Sequence, residues 1–199
     1  MTIIIGIKRK NGDVWIGSDS LIVDDDLSID PANMANDNKI VSFKNGFIGH
    51  AGDLSARNYL ELYFENQENF NFDLKTKIDV FKFAISFKKF VRELVPAEGN
   101  PENGPTHELL NADFLIATKD KLYSLDSDNA VMEYKNFICI GRGSEMATGI
   151  IDYLYYKTTK TSDLMITEAC EIVSKYHHSC GGPINLVNVN QKLKTKKHV

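Results

Sequence analysis

Thr2 is the first residue positioned to do chemistry. With Met1 removed it carries a hydroxyl and a free α-amine together, a nucleophile with its own base. An α-amine titrates at about 7.7–8.0, so it can accept a proton at neutral pH. The stretch Gly17-Ser18-Asp19-Ser20 could return a carboxylate towards Thr2 once the chain doubles back. Other chemistry-bearing clusters are weaker. Asp24-Asp25-Asp26 lacks the alternating ligands and the glycine of a calcium loop and reads as solvated surface. His177-His178-Ser179-Cys180 has ligand types, but no second cluster at metal-site spacing joins it. No metal and no cofactor is expected.

Those residues need elements to hold them. A chain of 199 residues with 43% hydrophobic and 25% charged content reads as an ordinary globular protein with a sizeable core. The expected organisation is one domain over residues 1–190 and a basic tail over 191–199. The net charge of −4 offers no electrostatic reason to expect nucleic acid, and the Lys192–Lys197 run reads as a solvated tail. No apolar run approaches the roughly 20 residues of a membrane span. The N-terminus lacks a charged segment followed by an apolar one, so no signal peptide is read. Cys139, Cys170 and Cys180 are odd in number and lack CxxC spacing, which favours a reducing compartment. The expected location is cytoplasmic.

The hydrophobic pattern predicts a hairpin from Thr2–Ile7 to Val14–Ile16 around Asn11-Gly12, and a second from Lys39–Phe43 to Phe47–Ala51 around Asn45-Gly46. Residues 21–36 read as a loop, with Pro31 breaking any periodicity. Asp53 or Ser55 is expected to cap a helix through Leu54, Tyr59, Leu60, Leu62 and Tyr63 to about Gln67. A second helix spans Thr76–Leu94, its apolar face read as Ile78, Phe81, Ile85, Phe87, Phe90 and Val91, and Pro96 ends it. Residues 97–106, rich in Pro, Gly and Asn, read as a mobile loop. Strands follow at 112–118, 121–125, 131–134 and 137–140, then helices over 144–156 and from 162 or 167 to about 176, and a last strand at 184–189. Strands, two helices, strands, two helices and a strand predict an α+β fold. Its form is a four-layer αββα sandwich of two antiparallel sheets.

The order and spacing of Thr2, Gly17-Ser18-Asp19, Lys39, His50-Ala51-Gly52-Asp53, Gly141-Arg142-Gly143-Ser144 and Ser179-Cys180-Gly181-Gly182 resemble proteasome β-type subunits of the N-terminal-nucleophile hydrolase superfamily. The chain is similar also to the peptidase subunit of the bacterial ATP-dependent two-component protease and to ancestral bacterial β-subunits. The resemblance spans Thr2 to about Val189. It implies a threonine peptidase acting on polypeptides inside a homo-oligomeric ring, with an ATPase unfoldase as a natural feeder. Thr2 would be the nucleophile and its amine the base. Asp19 would hold Lys39, whose charge favours the neutral amine, and the Gly52 N–H would be the oxyanion donor. Arg142 and Gly143 would stand at the catalytic turn, with His50, Ser20 and Leu54 at the substrate pocket.

The sequence departs from that pattern. Arg142 stands where the family usually has Ser, and His177 and Cys180 align with the usual Asp and Ser of a D-x-x-S-G-G pattern. Structural readings coexist with the functional ones. Asp19 could cap its own turn, Lys39 could be a solvated strand residue, Gly52 could end a strand, and Gly141 and Gly143 could serve close packing. A catalytically silent structural subunit and a small-amide N-terminal-nucleophile amidase are the alternative functions.

Overall fold

The computed structural model describes residues 2–24, 27–35, 38–66, 72–94 and 110–191. Met1, Asp25, Asp26, Gln67, Pro96, the 97–106 loop and the basic tail from Lys192 lie outside them.

Two hairpins open the chain. β1 (Ile4–Lys8) pairs antiparallel with β2 (Val14–Ser18), Ile5 opposite Gly17. After a short pair, β3 (Ile22–Asp24) and β4 (Leu27–Ile29), and a 3-10 turn at Pro31–Asn33, β5 (Ile40–Phe43) pairs with β6 (Gly46–Gly52). The two Asn-Gly turns therefore fall where β-prone runs flank them. The loop expected over 21–36 is corrected. Ile22 and Val23 pair with Ile29 and Ser28, and the Asp30 carboxylate accepts the Ala32 N–H to start the 3-10 turn. The acidic triplet hides this apolar alternation from a periodicity count.

α1 (Ser55–Glu65) and α2 (Lys77–Leu94) follow, then β7 (Ala112–Thr118), β8 (Leu122–Leu125), β9 (Val131–Tyr134) and β10 (Phe137–Ile140). α3 (Ser144–Lys157), α4 (Ser162–Tyr176) and β11 (Asn185–Asn188) complete the chain. One sheet has the order β10-β1-β2-β11 and the other β5-β6-β7-β8-β9, with antiparallel neighbours throughout.

The period of two in β1 decides the layers. Ile3, Ile5 and Ile7 point one way, into a core shared with Ala147, Ile151 and Leu154 of α3 and Met165, Ile166 and Val173 of α4. Ile4 points the other way and packs with Ile16, Leu115, Ala117 and Leu122 between the sheets. The outer face of the second sheet, including Ile48, Phe114, Ile116 and Tyr123, is covered by α1 and α2. Three cores separate four layers, so the fold is the expected α+β αββα sandwich of antiparallel sheets.

Two helical expectations are corrected. α2 buries Val80, Phe83, Ala84, Phe87 and Val91, an i, i+3, i+4, i+7, i+11 stripe, while Ile78, Phe81 and Ile85 are exposed. The helix is apolar on two sides, and a count of apolar residues cannot choose between them. In α1 the buried residues are Ala56, Leu60 and Tyr63, with Leu62 exposed, and no side chain caps its start. Asp53 instead accepts the Asn111 N–H through Oδ2 at 3.0 Å, tying the end of β6 to the start of β7.

Leu115, fully buried between the sheets, tests the sandwich. Leu115→Ala should lower unfolding free energy by about 2–5 kcal/mol through lost transfer energy and a residual cavity, read from chemical denaturation midpoints. A loss within error would show that the sheets do not close over this side chain.

Candidate active site

The site forms where the N-terminus meets the end of the first hairpin. β1 and β2 are antiparallel neighbours, so Ile3 and Asp19 face each other across the ladder and exchange hydrogen bonds. The Ile3 N–H donates to Asp19 Oδ1 at 3.0 Å, and the Asp19 N–H donates to the Ile3 carbonyl at 3.3 Å. Asp19 is fully buried, and Lys39 Nζ binds the same Oδ1 at 2.8 Å. Its other oxygen accepts the Gly181 N–H at 3.0 Å. Lys39 Nζ also donates to the Leu21 carbonyl at 2.7 Å. Burial pulls the Lys39 pKa below the ordinary lysine value, and the Asp19 carboxylate pulls it back up. The reading of Asp19 as a turn cap and of Lys39 as a solvated strand residue is thereby corrected.

Thr2 is 6% exposed and sits at the junction of two cavities. One, of about 380 Å³, is lined by Thr2, Lys39, His50, Gly52 and Leu54 together with Met34, Asn38, Arg57, Asn58 and Glu61. The other, of about 610 Å³, is lined by Thr2, Gly52, Asp53, Asn111, Asp113, Gly141, Arg142 and Ser144. Burial raises the pKa of Asp113, with the Asp126 charge adding to it. Thr2 and Gly52 belong to both. Gly52 has φ +123, and a Cβ there would stand 2.1 Å from the Asn111 carbonyl oxygen, so the close approach of the end of β6 to the start of β7 requires glycine. Gly141 has φ +88, and a Cβ would stand 2.2 Å from the Thr2 carbonyl oxygen. The turn before α3 therefore rests directly on the N-terminal backbone.

Sequence reasoning brings Thr2, Asp19, Lys39, Gly52, His50 and Leu54 to one place, and Arg142 to the mouth of the second cavity, where it is exposed. Two residues fall elsewhere. Ser20 is fully buried outside both cavities, its hydroxyl donating to the Pro183 carbonyl at 2.7 Å, so it ties its strand end to the chain before β11. Gly143 is buried behind the site at the start of α3, where a Cβ would press on Val173 and Cys180 Sγ. Arg57 and Glu61 are pocket residues that the sequence reading missed. Their i, i+4 spacing on α1 was the available signal, and they form an ion pair at 2.9 Å.

His50 is 5% exposed, and neither ring nitrogen has a hydrogen-bond partner among the described residues. Burial, with the positive charges of Lys39 and Arg57, lowers its pKa to about 4. The chain supplies no grouping of three His, Cys, Asp or Glu suited to a metal among the described residues. Cys139, Cys170 and Cys180 are buried and free, and burial pushes the Cys180 thiol up to about 11. No described helix is long and apolar enough to cross a membrane.

The profile of the proteasome subunit family matches residues 2–189. Among solved structures the chain is similar to Thiobacillus denitrificans BPH, at 18% identity, TM-score 0.79, covering 94% of this chain and 98% of that one. It is similar also to eukaryotic HslV from Trypanosoma brucei, at 15% identity, TM-score 0.65, with 93% and 97% covered. A third likeness is to the Anbu (Gly-1) mutant from Hyphomicrobium sp. strain MC1, at 16% identity, TM-score 0.64, with 94% and 81% covered. A search of curated proteins returns no match.

Two outcomes follow from the buried charges. Asp19→Asn leaves Lys39 without its carboxylate and should cost about 3–5 kcal/mol of stability, measured by denaturation at neutral pH. An unchanged midpoint would mean that the pair is not buried. For His50 the folded pKa lies below the unfolded one, so its contribution is full above pH 6.5 and is lost as pH falls towards 4. Relative to His50→Phe, the wild-type protein should lose about 3 kcal/mol over that window, and parallel stability–pH curves would refute the assignment.

Proposed function

The chain belongs to the proteasome subunit family, and on that premise we propose that it is a threonine-type endopeptidase with Thr2 as its nucleophile. The observation that carries this reading is the placement of Thr2 between two cavities, with Lys39 and Gly52 beside it and Asp19 behind Lys39. Two cavities that share Thr2 and Gly52 suit a substrate that runs through the site and is cut in the middle.

In this reading Met1 is removed and the Thr2 amine takes the hydroxyl proton as the oxygen attacks the scissile carbonyl. A protonated Lys39, fixed by the Asp19 carboxylate and the Leu21 carbonyl, disfavours a second cation and keeps the amine neutral. The Gly52 N–H stabilises the oxyanion. The tetrahedral intermediate collapses to an ester on Thr2, the amine passes its proton to the leaving nitrogen, and water then hydrolyses the ester. Arg142, exposed on the second cavity, meets the leaving side of the substrate. A homo-oligomeric ring would confine the sites to polypeptides that are fed in, with an ATPase unfoldase as the feeder, in the cytoplasm. A structure of Thiobacillus denitrificans BPH has been solved in complex with epoxomicin, and the same type of probe tests this chain.

The intact mass of the native protein, before and after an epoxyketone, is the direct test. Loss of one Met and gain of one adduct is expected, and Thr2→Ala should lower peptide hydrolysis by on the order of a thousandfold or more. A retained Met1 with no adduct, or a fully active Thr2→Ala protein, would overturn the peptidase reading.

A further inference from the structure

Gly149 lies in the interior of α3 with open space where a side chain would be. It is exposed, and a Cβ there would meet no atom within 4 Å. Glycine is among the least favourable residues in a helix interior, because it gives up the most backbone freedom, and alanine would fit here without a clash. What glycine offers at this point is room for another backbone to come close.

The surface around it is a groove of about 520 Å³, lined by Met146, Gly149, Ile150 and Tyr153 of α3 and by Glu168 and Ile172 of α4. Met146 and Tyr153 flank Gly149 by about a turn on either side and are 38% and 63% exposed, and Leu164 of α4 is exposed as well. Exposed apolar surface gathered in one place marks an interaction site. The Glu168 carboxylate is paired with Lys160, so its charge does not bar an apolar occupant.

The residues along α3 identify that occupant. A two-fold axis through Gly149 lays α3 antiparallel on the α3 of a second copy, and residues equidistant from Gly149 then face each other. Glu145, four residues before it, meets Tyr153 of the second copy, four residues after it, and symmetry repeats the pair. A phenol hydroxyl donates to a carboxylate in a charge-assisted hydrogen bond, so the helix is complementary to itself. Both side chains are exposed, and neither has a hydrogen bond among the described residues. The two glycines at the crossing allow the helices to approach until Met146 and Tyr153 of each copy enter the groove of the other.

We propose that two copies of this chain pair face to face through α3, with Gly149 on the two-fold axis. The contact is isologous, whereas a ring closes through head-to-tail contacts. It therefore pairs whole rings or single chains alike, and it stands whether or not Thr2 is a nucleophile.

The test uses the full-length protein with Gly149→Cys. The native cysteines are buried, and on the axis the two introduced thiols lie near enough to bond. Mild oxidation should convert most of the protein to a disulfide-linked dimer on a non-reducing gel, and Lys82→Cys on the exposed side of α2 should stay unlinked. Gly149→Trp should halve the native mass. Tyr153→Glu sets carboxylate against carboxylate and should raise the dissociation constant of the pair by about tenfold or more. Adding Glu145→Lys to it should restore pairing. The oxidation result decides even if Gly149→Trp fails to fold. An unlinked Gly149→Cys protein, equal linking of Lys82→Cys, or an unchanged native mass in folded Gly149→Trp overturns the inference and leaves the peptidase reading standing.

Discussion

The Asp19 carboxylate holds four separate parts of the chain at one point. Its two oxygens receive the Ile3 N–H, the Lys39 ammonium and the Gly181 N–H, and Lys39 in turn reaches the Leu21 carbonyl. An ionised carboxylate removed from water is costly unless it is paired and fully hydrogen-bonded. Here the cost is met by one charge and two backbone donors, so the geometry is specified closely. Apolar replacement of both Asp19 and Lys39 at similar volume preserves stability in comparable pairs, but it removes the contacts that tie the N-terminal strand to this point. The ion pair therefore connects fold to chemistry: the requirement that its charges be satisfied fixes where Thr2 lies.

That constraint acts through a backbone already confined. Gly141 allows the turn before α3 to lie on the Thr2 carbonyl, and Gly52 allows the end of β6 to pass against Asn111. The first sheet carries the N-terminus, and the second carries Gly52 and His50 at the end of a seven-residue strand. The site lies at the edge of the inter-sheet core. The alternation in β1 that buries Ile4 between the sheets and Ile3 under α3 and α4 also sets the direction in which Thr2 emerges.

Much of this was legible in the sequence because the signals are local. Asn-Gly turns flanked by β-prone runs locate both hairpins, and a continuous apolar run locates β7. Thr2, Asp19, Lys39 and Gly52 were readable as a set only through family resemblance, since none has a local pattern that sets it apart. The failures share a cause. The α2 face was misread because both of its stripes are apolar, and the choice depends on where the second sheet lies. The resemblance put Ser20 at the pocket, but its hydroxyl turns to the Pro183 carbonyl. Arg57 and Glu61 line the cavity from α1: their i, i+4 spacing signals the ion pair, but not that the pair faces the cavity.

The departures from the family pattern look less disruptive in three dimensions than in one. His177 stands where Asp is usual, and its Nδ1 shares a 2.8 Å hydrogen bond with the fully buried Ser179 hydroxyl. Cys180 replaces a Ser, and its sulfur packs against Gly143, where a Cβ would stand 3.0 Å away. What supports the N-terminus from this loop is backbone: the Gly181 N–H on Asp19, and the Gly181 carbonyl receiving the N–H groups of Ser20 and Leu21 at 3.1 and 2.9 Å. Backbone groups survive side-chain replacement as long as the loop keeps its path, and Gly182, with Ser20 Oγ 2.7 Å from where its Cβ would be, holds that path. The changes at 177 and 180 thus leave the backbone contacts of Gly181 in place. Arg142 is different in kind: it lines the second cavity beside Thr2 and is exposed there.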